Sequence, residues 1–469
     1  MAFDPHPYSD HKPLGLPWLA EIPSGWQILR GKNVFQVIDV RSETGDEELL
    51  TVSASDGVVP RSQKTVTMFK AESYVGHKLC WPGDLVINSL WAWMQGLGFS
   101  RYHGLVSSAY SVYRPRPAFT SYWRYFDYLL RSASYKWELQ TRSKGVWLSR
   151  LQLSDPAFLD MPILIPPPDE QAAIVRFLDH ANRRIRRYIA AKRRLIALLN
   201  EQKQAIIQHA VTRGLDPNVP LKPSSVSWLG DVPANWEVVR IKYLLREVDA
   251  RSVTGEETLL SLRMSHGLVP HDEHFARPGQ ASSLVGYKLV RPGQVVLNRL
   301  QANNGLVFSS DVTGVVSPDY AVFDPIADID IRYLTTLFRT PILKHKFRIE
   351  AKGLGTGTSG FLRLYTDRFG TIQVPLPPRG EQTRIMEELD RALSGLQKNI
   401  AGLERGIDLV REYRTRLIAD VVTGKLDVRA AAASLSDEPD VAEPLEDTED
   451  EALDMEGDDS EALPEEIEA

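Results

Sequence analysis

The chain repeats itself at an offset of 210 residues, and this limits its fold more than any other feature. WLAEIPSGWQILR from Trp18 returns as WLGDVPANWEVVR from Trp228. Leu50, Gly57 and Pro60 return as Leu260, Gly267 and Pro270. VGHKLCWPGDLVIN, ending at Asn88, returns as VGYKLVRPGQVVLN, ending at Asn298. GLVSSAY from Gly104 matches GVVSPDY from Gly314, and ILIPPPDEQ from Ile163 matches VPLPPRGEQ from Val374. The matches keep their order along nearly the whole chain, so two copies of one unit must fold.

Each copy reads as a globule followed by a helix. Short apolar runs such as LVIN and VVLN, punctuated by Gly and Pro, predict strands and turns. Residues 122–132 and 331–349 read as helical. Pro166, Pro167 and Pro168 stop the first globule, and acidic residues at 169 and 170 suit the start of a helix. That helix is expected to run to about residue 211, before Gly214, and its twin from about 381 to 422, before Gly424. The fold class is therefore α+β, with two pseudo-repeated α/β-type globules separated by long helices. The expected divisions are 1–168, 169–212, 213–378, 379–428 and a tail, 429–469.

The helices carry coiled-coil spacing. Leu393, Leu396, Ile400, Leu403, Ile407, Val410, Leu417 and Val421 alternate steps of three and four, with Arg414 as the polar exception. Ile174, Leu178, Ala181, Ile185, Tyr188, Leu195, Leu199 and Ile206 do the same, interrupted by Lys192 and Gln202. A second stripe, Ile189, Ile196, Ala197 and Ile207, lies beside the first, so more than two helices are expected, some from a partner protein. The alternative is that these residues pack on the globules. Only residues 212–227 link the first helix to the second globule. The second helix is therefore expected to run back antiparallel, with a globule at each end of the coiled coil.

Charge is divided unevenly. From Asp437 onward there are 17 acidic residues and no Lys or Arg, which leaves 55 basic against 44 acidic residues elsewhere. A basic body suits a polyanion, although basic surfaces also occur without one. The tail is expected to be disordered and to compete weakly with nucleic acid for that body. One cysteine, Cys80, excludes a disulfide framework. The first twelve residues do not read as a signal peptide, and no apolar run has the length of a membrane span, so a cytoplasmic location is expected.

The stretches WLGDVPANWEVVRIKYLL, VLNRLQANNG, GVVSPDY, GTGTSGFLRLY and VPLPPRGEQTRI resemble the specificity subunit of type I restriction–modification systems. The resemblance runs over about residues 14–428. It implies a DNA-binding, non-catalytic subunit. Two target-recognition domains would each read one part of an asymmetric bipartite site in double-stranded DNA. The helical regions would bind two methyltransferase subunits, and helicase-nuclease subunits would join for restriction. No cofactor is expected on this chain; S-adenosylmethionine, ATP and Mg²⁺ belong to the partners. The first copy departs from the pattern with Ala20 in place of Gly230, and with TRSKGVWLSRLQ where the second has KGLGTGTSGFLR. The acidic tail lies outside it.

Reading base edges needs paired donors and acceptors, which Arg, Lys, Asn and Gln supply. The second copy offers Asn298, Arg299, Gln301, Asn303 and Asn304, and then Lys352, Thr356, Thr358, Ser359 and Arg363. The first offers Asn88, Trp91, Trp93 and Gln95, and then Arg142, Lys144 and Arg150. Asn and Gly in these stretches would equally build turns. Residues 183–194 add Arg183, Arg184, Arg186, Arg187, Lys192, Arg193 and Arg194, which would meet phosphates, an acidic partner or only solvent. The glycine-rich stretch from Gly353 lacks the Lys-Ser/Thr ending of a phosphate loop. Asp319 followed by Glu350 and Lys352 has the rough spacing of a Mg²⁺ nuclease, but the first copy has Ala109 in place of Asp319. His266, His271 and His274 share one loop without a metal-binding spacing. The rival functions are thus a Mg²⁺-dependent nuclease and a coiled-coil scaffold that never touches bases.

Overall fold

Strict alternation in the strands builds a sheet with two buried faces in each copy. The computed structural model describes residues 5–64, 73–145, 151–264, 266–273, 283–353 and 362–435. The chain packs as two units, residues 1–192 with 405–469, and residues 193–404. Each unit thus holds one globule, part of one long helix and the complementary part of the other. The helices are α1 (Pro168–Arg213) and α2 (Arg379–Val422).

In the first unit four antiparallel strands lie in the order Phe35–Ile38, Tyr110–Pro115, Leu85–Asn88, Leu97–Phe99. Leu85, Ile87, Leu97 and Tyr113 point into the main core, among Phe126, Leu129 and Phe158. Val86 and Val112 point the other way, onto Leu50, Val52, Val58, Cys80 and Val106 of two flanking strand pairs. The second unit repeats this with Leu245–Val248, Ala321–Pro325, Val295–Leu297 and Val307–Ser309. There Val295 and Leu297 face Leu334, Leu337 and Phe347, while Val296 and Val322 face Leu260, Leu262 and Val316.

The helical expectations need one correction. The stretch 331–349 is two helices, Ile331–Phe338 and Pro341–Glu350. Pro341 disfavours a helical Thr340, which is extended at φ −68° and ψ 149°, and then starts the second helix. In the first copy the expected helix is Trp123–Leu130, and a further helix, Ala133–Arg142, follows it.

The Pro-Pro-x-x-Glu-Gln segment at the start of each long helix closes its globule. Strand Pro162–Ile165 pairs with Gln27–Arg30, and Gln373–Leu376 with Glu237–Arg240. At the start of α1, Gln171 Nε2 donates to the Pro166 carbonyl at 2.7 Å, and Glu170 accepts from the buried Trp26 Nε1 at 2.7 Å. At the start of α2, Gln382 Nε2 donates to the Pro377 carbonyl at 2.8 Å, and Glu381 accepts from Trp236 Nε1 at 3.0 Å. These carboxylates sit at positive helix ends, where the dipole favours them.

The ends of the long helices are captured by the globules. In the first unit Tyr125 Oη donates to the Leu164 carbonyl at 3.2 Å and to that of Val422, at the end of α2, at 3.5 Å. In the second unit Tyr333 Oη donates to the Pro375 carbonyl at 3.1 Å and to that of Val211, near the end of α1, at 3.0 Å. Burial raises both phenols well above their usual pKa, so they remain donors for carbonyls that a helix terminus leaves without partners. Gly424 follows α2 at φ +76°, and a Cβ there would stand 2.3 Å from Pro23 Cδ, so only glycine fits this exit.

Within each unit the two helices run antiparallel. Ile174 and Leu178 of α1 share a core with Val421 and Leu417 of α2, and Arg414 Nε donates to Asn182 Oδ1 at 2.8 Å. The polar interruption at Arg414 is therefore a hydrogen-bonded position. In the second unit Ala210 and Val211 share a core with Ile385, Met386 and Leu389. The expected seam is fully buried only near the helix ends. Of its residues, Tyr188 in the first unit and Leu195 in the second are exposed, as are Leu409, Tyr413 and Leu198, which lie off the seam.

The first unit also joins the two ends of the chain. His6 and Asp427 form a β-bridge, and Arg429 pairs with Asp427, contacts Glu170 at 3.3 Å and lies over the Tyr8 ring. At the repeat offset His6 and Asp427 correspond to residues 216 and 217, where the second unit has an unbroken chain.

Candidate nucleic-acid interface

Two candidate segments meet in each unit. In the second, the segment after strand Val295–Leu297 turns through the short helix Ala302–Asn304. The segment after helix Pro341–Glu350 forms a loop closed by an antiparallel bridge between Lys352 and Arg363. Leu364 N donates to the Arg299 carbonyl at 2.9 Å and ties the loop to the turn. In the first unit Lys144 bridges Gln152, and Leu153 N donates to the Ser89 carbonyl at 3.0 Å. Gln152 therefore occupies the place of Arg363, a candidate that sequence comparison missed because the two loops differ in length. Arg150, Thr356, Thr358 and Ser359 lie outside the described residues.

The turn itself is built by asparagine. Asn298 Oδ1 accepts from Leu300 N at 3.1 Å and Gln301 N at 3.3 Å, and its side chain bonds Tyr320. Asn88 Oδ1 accepts from Leu90 N at 3.2 Å, and its Nδ2 donates to Tyr110 Oη at 3.3 Å. Both amides hold the turn on the strand that carries it. Both turns end in a left-handed residue, Gly305 at φ +91° and Gln95 at φ +63°. Gln95 Nε2 donates to the Ser132 carbonyl at 2.9 Å, which secures it. Replacing Gln95 by Gly relieves left-handed strain of about 1 kcal/mol and removes a hydrogen bond of similar worth. A change of less than about 1 kcal/mol in the unfolding free energy from urea titration is expected; a larger loss would mean that the side chain holds more than this turn.

The cations divide into two groups. Arg299 Nη2 contacts Glu247 Oε1 at 2.6 Å and Thr366 Oγ1 at 3.3 Å. Arg363 contacts Asp319 at 2.8 Å and lies over Tyr365. Arg142 pairs with the buried Glu138, which also accepts from Trp18 Nε1 at 2.7 Å. These three guanidiniums brace the globules. Lys144 and Lys352 are exposed on their loops. Lys344, also missed in the sequence, packs its Cε 2.5 Å from the point where a Cβ on Gly305 would lie. Burial first, and the Arg339 guanidinium second, lower the Lys344 pKa.

The two turns present different chemistry. Gln301 and Asn304 are exposed in the second unit, and Asn303 is half-buried. Asn303 Nδ2 lies 3.4 Å from Asn304 Oδ1. In the first unit Trp91 stacks on Trp93 with centroids 6.1 Å apart and planes at 14°, and Leu90, Trp91 and Met94 are exposed. One turn thus offers amides and the other an apolar aromatic surface.

The nuclease pattern does not assemble among the described residues. Asp319 is paired with Arg363, and Glu350 with Lys346 at 2.6 Å. No group of three or more His, Cys, Asp or Glu among the described residues is placed to hold a metal ion. His271 Nδ1 lies 2.9 Å from Ser261 Oγ, and His274 is outside the described residues. No described helix is long and apolar enough to cross a membrane.

Residues 287–404 match the family described as the type I restriction modification DNA specificity domain. Over these residues the chain is similar to a type I DNA specificity domain. That domain spans the amide-rich turn, the Lys352–Arg363 bridge and the first part of α2. No curated protein matches the chain. A chain from a structure titled for complex assembly and conformational transition of the type I R-M system superposes with a TM-score of 0.59 at 17% identity, covering 86% of this chain and 99% of that one. The fold is shared with that protein. The HsdS subunit from Thermoanaerobacter tengcongensis aligns at 16% identity and a TM-score of 0.43, over 86% of this chain and 98% of that one.

Proposed function

We propose that this chain is the specificity subunit of a type I restriction–modification complex, in which each unit reads one part of an asymmetric bipartite DNA site. One observation carries the reading. The same turn-and-loop pair recurs in both units, with amides in one and tryptophans in the other. Duplicated scaffolds with divergent tips suit two half-sites of different sequence, because recognition depends on the groups placed at base edges. The exposed lysines serve the phosphates. Tyr188, Leu195, Leu198, Leu409 and Tyr413 are apolar groups left to two methyltransferase subunits. Those subunits bring S-adenosylmethionine, and helicase-nuclease subunits bring the ATP and Mg²⁺ chemistry.

Selection from a pool of random duplexes, with the chain bound to its methyltransferase partner, tests this. The expected result is one asymmetric sequence with two defined parts and an unread spacer. Recovery of no sequence would leave a scaffold, and plasmid cleavage by the purified chain with Mg²⁺ alone would leave a nuclease.

A further inference from the structure

We infer, resting on the bipartite function proposed for the two units, that the turn of the first unit recognises thymine through its 5-methyl group. Leu90, Trp91 and Met94 are exposed on this turn. At the repeat offset, Trp91, Trp93 and Met94 stand where the second unit has Gln301, Asn303 and Asn304. The amides that remain in the first turn are engaged within the protein. Asn88 Nδ2 donates to Tyr110 Oη at 3.3 Å, Asn88 Oδ1 accepts from Leu90 N at 3.2 Å, and Gln95 Nε2 donates to the Ser132 carbonyl at 2.9 Å. Trp93 Nε1 is engaged too, by the Leu90 carbonyl at 3.0 Å. The tip therefore meets a base edge chiefly with carbon. In the major groove the apolar group that a base edge offers is the thymine methyl.

The rings are held for contact rather than insertion. Trp91 and Trp93 stack with centroids 6.1 Å apart and planes at 14°, so each covers a face of the other. Trp91 is only 40% exposed, and a Cβ on Gly96 would stand 3.0 Å from its Cβ, so the turn closes tightly on it. Apolar wedges that open a base step project a free side chain between the bases. A fixed, half-covered ring instead presents a flat surface against which a methyl group can be buried. Lys144 is exposed on the loop that Leu153 N ties to the Ser89 carbonyl at 3.0 Å. A cation on the loop tied to an apolar tip suits a groove edged by phosphates, whereas lysine is depleted at the centres of protein interfaces. The first half-site is thus read by apolar contact and the second by hydrogen bonds.

Uracil keeps the hydrogen-bonding edge of thymine and lacks its methyl, so it tests this. The full chain, bound to its methyltransferase partner, first selects its site from random duplexes. Each thymine of the first half-site, on either strand, is then replaced by uracil in turn. At one position or more the affinity should fall about fourfold, the value for one methyl-sized apolar group left in water. In Trp91→Gln the thymine and uracil duplexes should bind alike, and Met94→Ser, a smaller change, should narrow the same ratio. Both side chains are exposed, so urea unfolding of the variants should match the parent. Gln301→Ala in the second unit should leave the ratio at about fourfold. Equal affinity of the parent for thymine and uracil at every first-half position would overturn the inference, as would a ratio that persists in Trp91→Gln. Loss of methyltransferase assembly in Trp91→Gln would overturn it in favour of a protein contact. Selection of no two-part sequence by the parent is a separate result, which would remove the bipartite function itself.

Discussion

Replacing Glu170 by Ala is expected to destabilise the first unit by about 2–4 kcal/mol, because it leaves two buried donors without an acceptor. Glu170 accepts from Trp26 Nε1 at 2.7 Å and Tyr8 Oη at 3.0 Å, and Trp26 is completely buried. Its contact with Arg429 adds little, since the Arg429 side chain is 51% exposed and solvent screens the pair. The larger consequence is architectural. Glu170 sits where the first turn of α1, the N-terminal segment carrying Tyr8 and the C-terminal segment carrying Arg429 meet. Glu381→Ala in the second unit should cost less, about 1–2 kcal/mol, because Glu381 accepts from Trp236 and the exposed Asn235 where the chain is continuous. Urea unfolding followed by tryptophan fluorescence should resolve two transitions, with the lower one moving in Glu170→Ala. An equal shift in both variants would mean that the clasp of the two termini contributes nothing beyond its Trp–Glu bond.

Replacing Asn303 and Asn304 together by Ala should relax the second half-site while the first stays strict. Each bidentate amide contact to adenine is worth about 1–3 kcal/mol of discrimination, or roughly 5- to 150-fold in relative affinity. The fold should not respond. Among the described residues, Asn303 and Asn304 show a 3.4 Å side-chain contact with each other and no other side-chain bond, and the turn is held by Asn298 and by Gly305 N donating to the Ala302 carbonyl at 2.9 Å. Stability should therefore remain within about 0.5 kcal/mol of the parent. Comparing the selected pools of parent and variant reads the result. Equal relaxation of both half-sites, or of neither, would remove these residues from second-half recognition.

Much of this architecture can be read from the chain as a string, because its signals are local and periodic. The repeat required two like globules. The prolines at 166–168 marked where a helix begins, and Ile174, Leu178, Ala181 and Ile185 marked the face it buries. Arg142, Arg299 and Arg363 read equally well in sequence as DNA contacts, since a guanidinium looks the same whether a carboxylate or a base will face it. In the structure Glu138, Glu247 and Asp319 pair with them, at separations of 4, 52 and 44 residues. Gln152 was hidden because the loop before it is shorter than its twin, and only the closing bridge to Lys144 aligns the two.

What the sequence determined by itself is the class of the fold, the duplication, the helix boundaries to within a few residues and the specificity-domain resemblance. All of these rest on spacing along the chain, which survives without coordinates. Tertiary structure alone decided which polar side chains hold the globule and which stay at the surface, because that depends on neighbours brought from far along the chain. It also decided that His6 meets Asp427, and that Leu435 ends beside Arg176. Such contacts have no periodic signature; they exist because α1 and α2 run antiparallel within the first unit and return the end of the chain to its beginning.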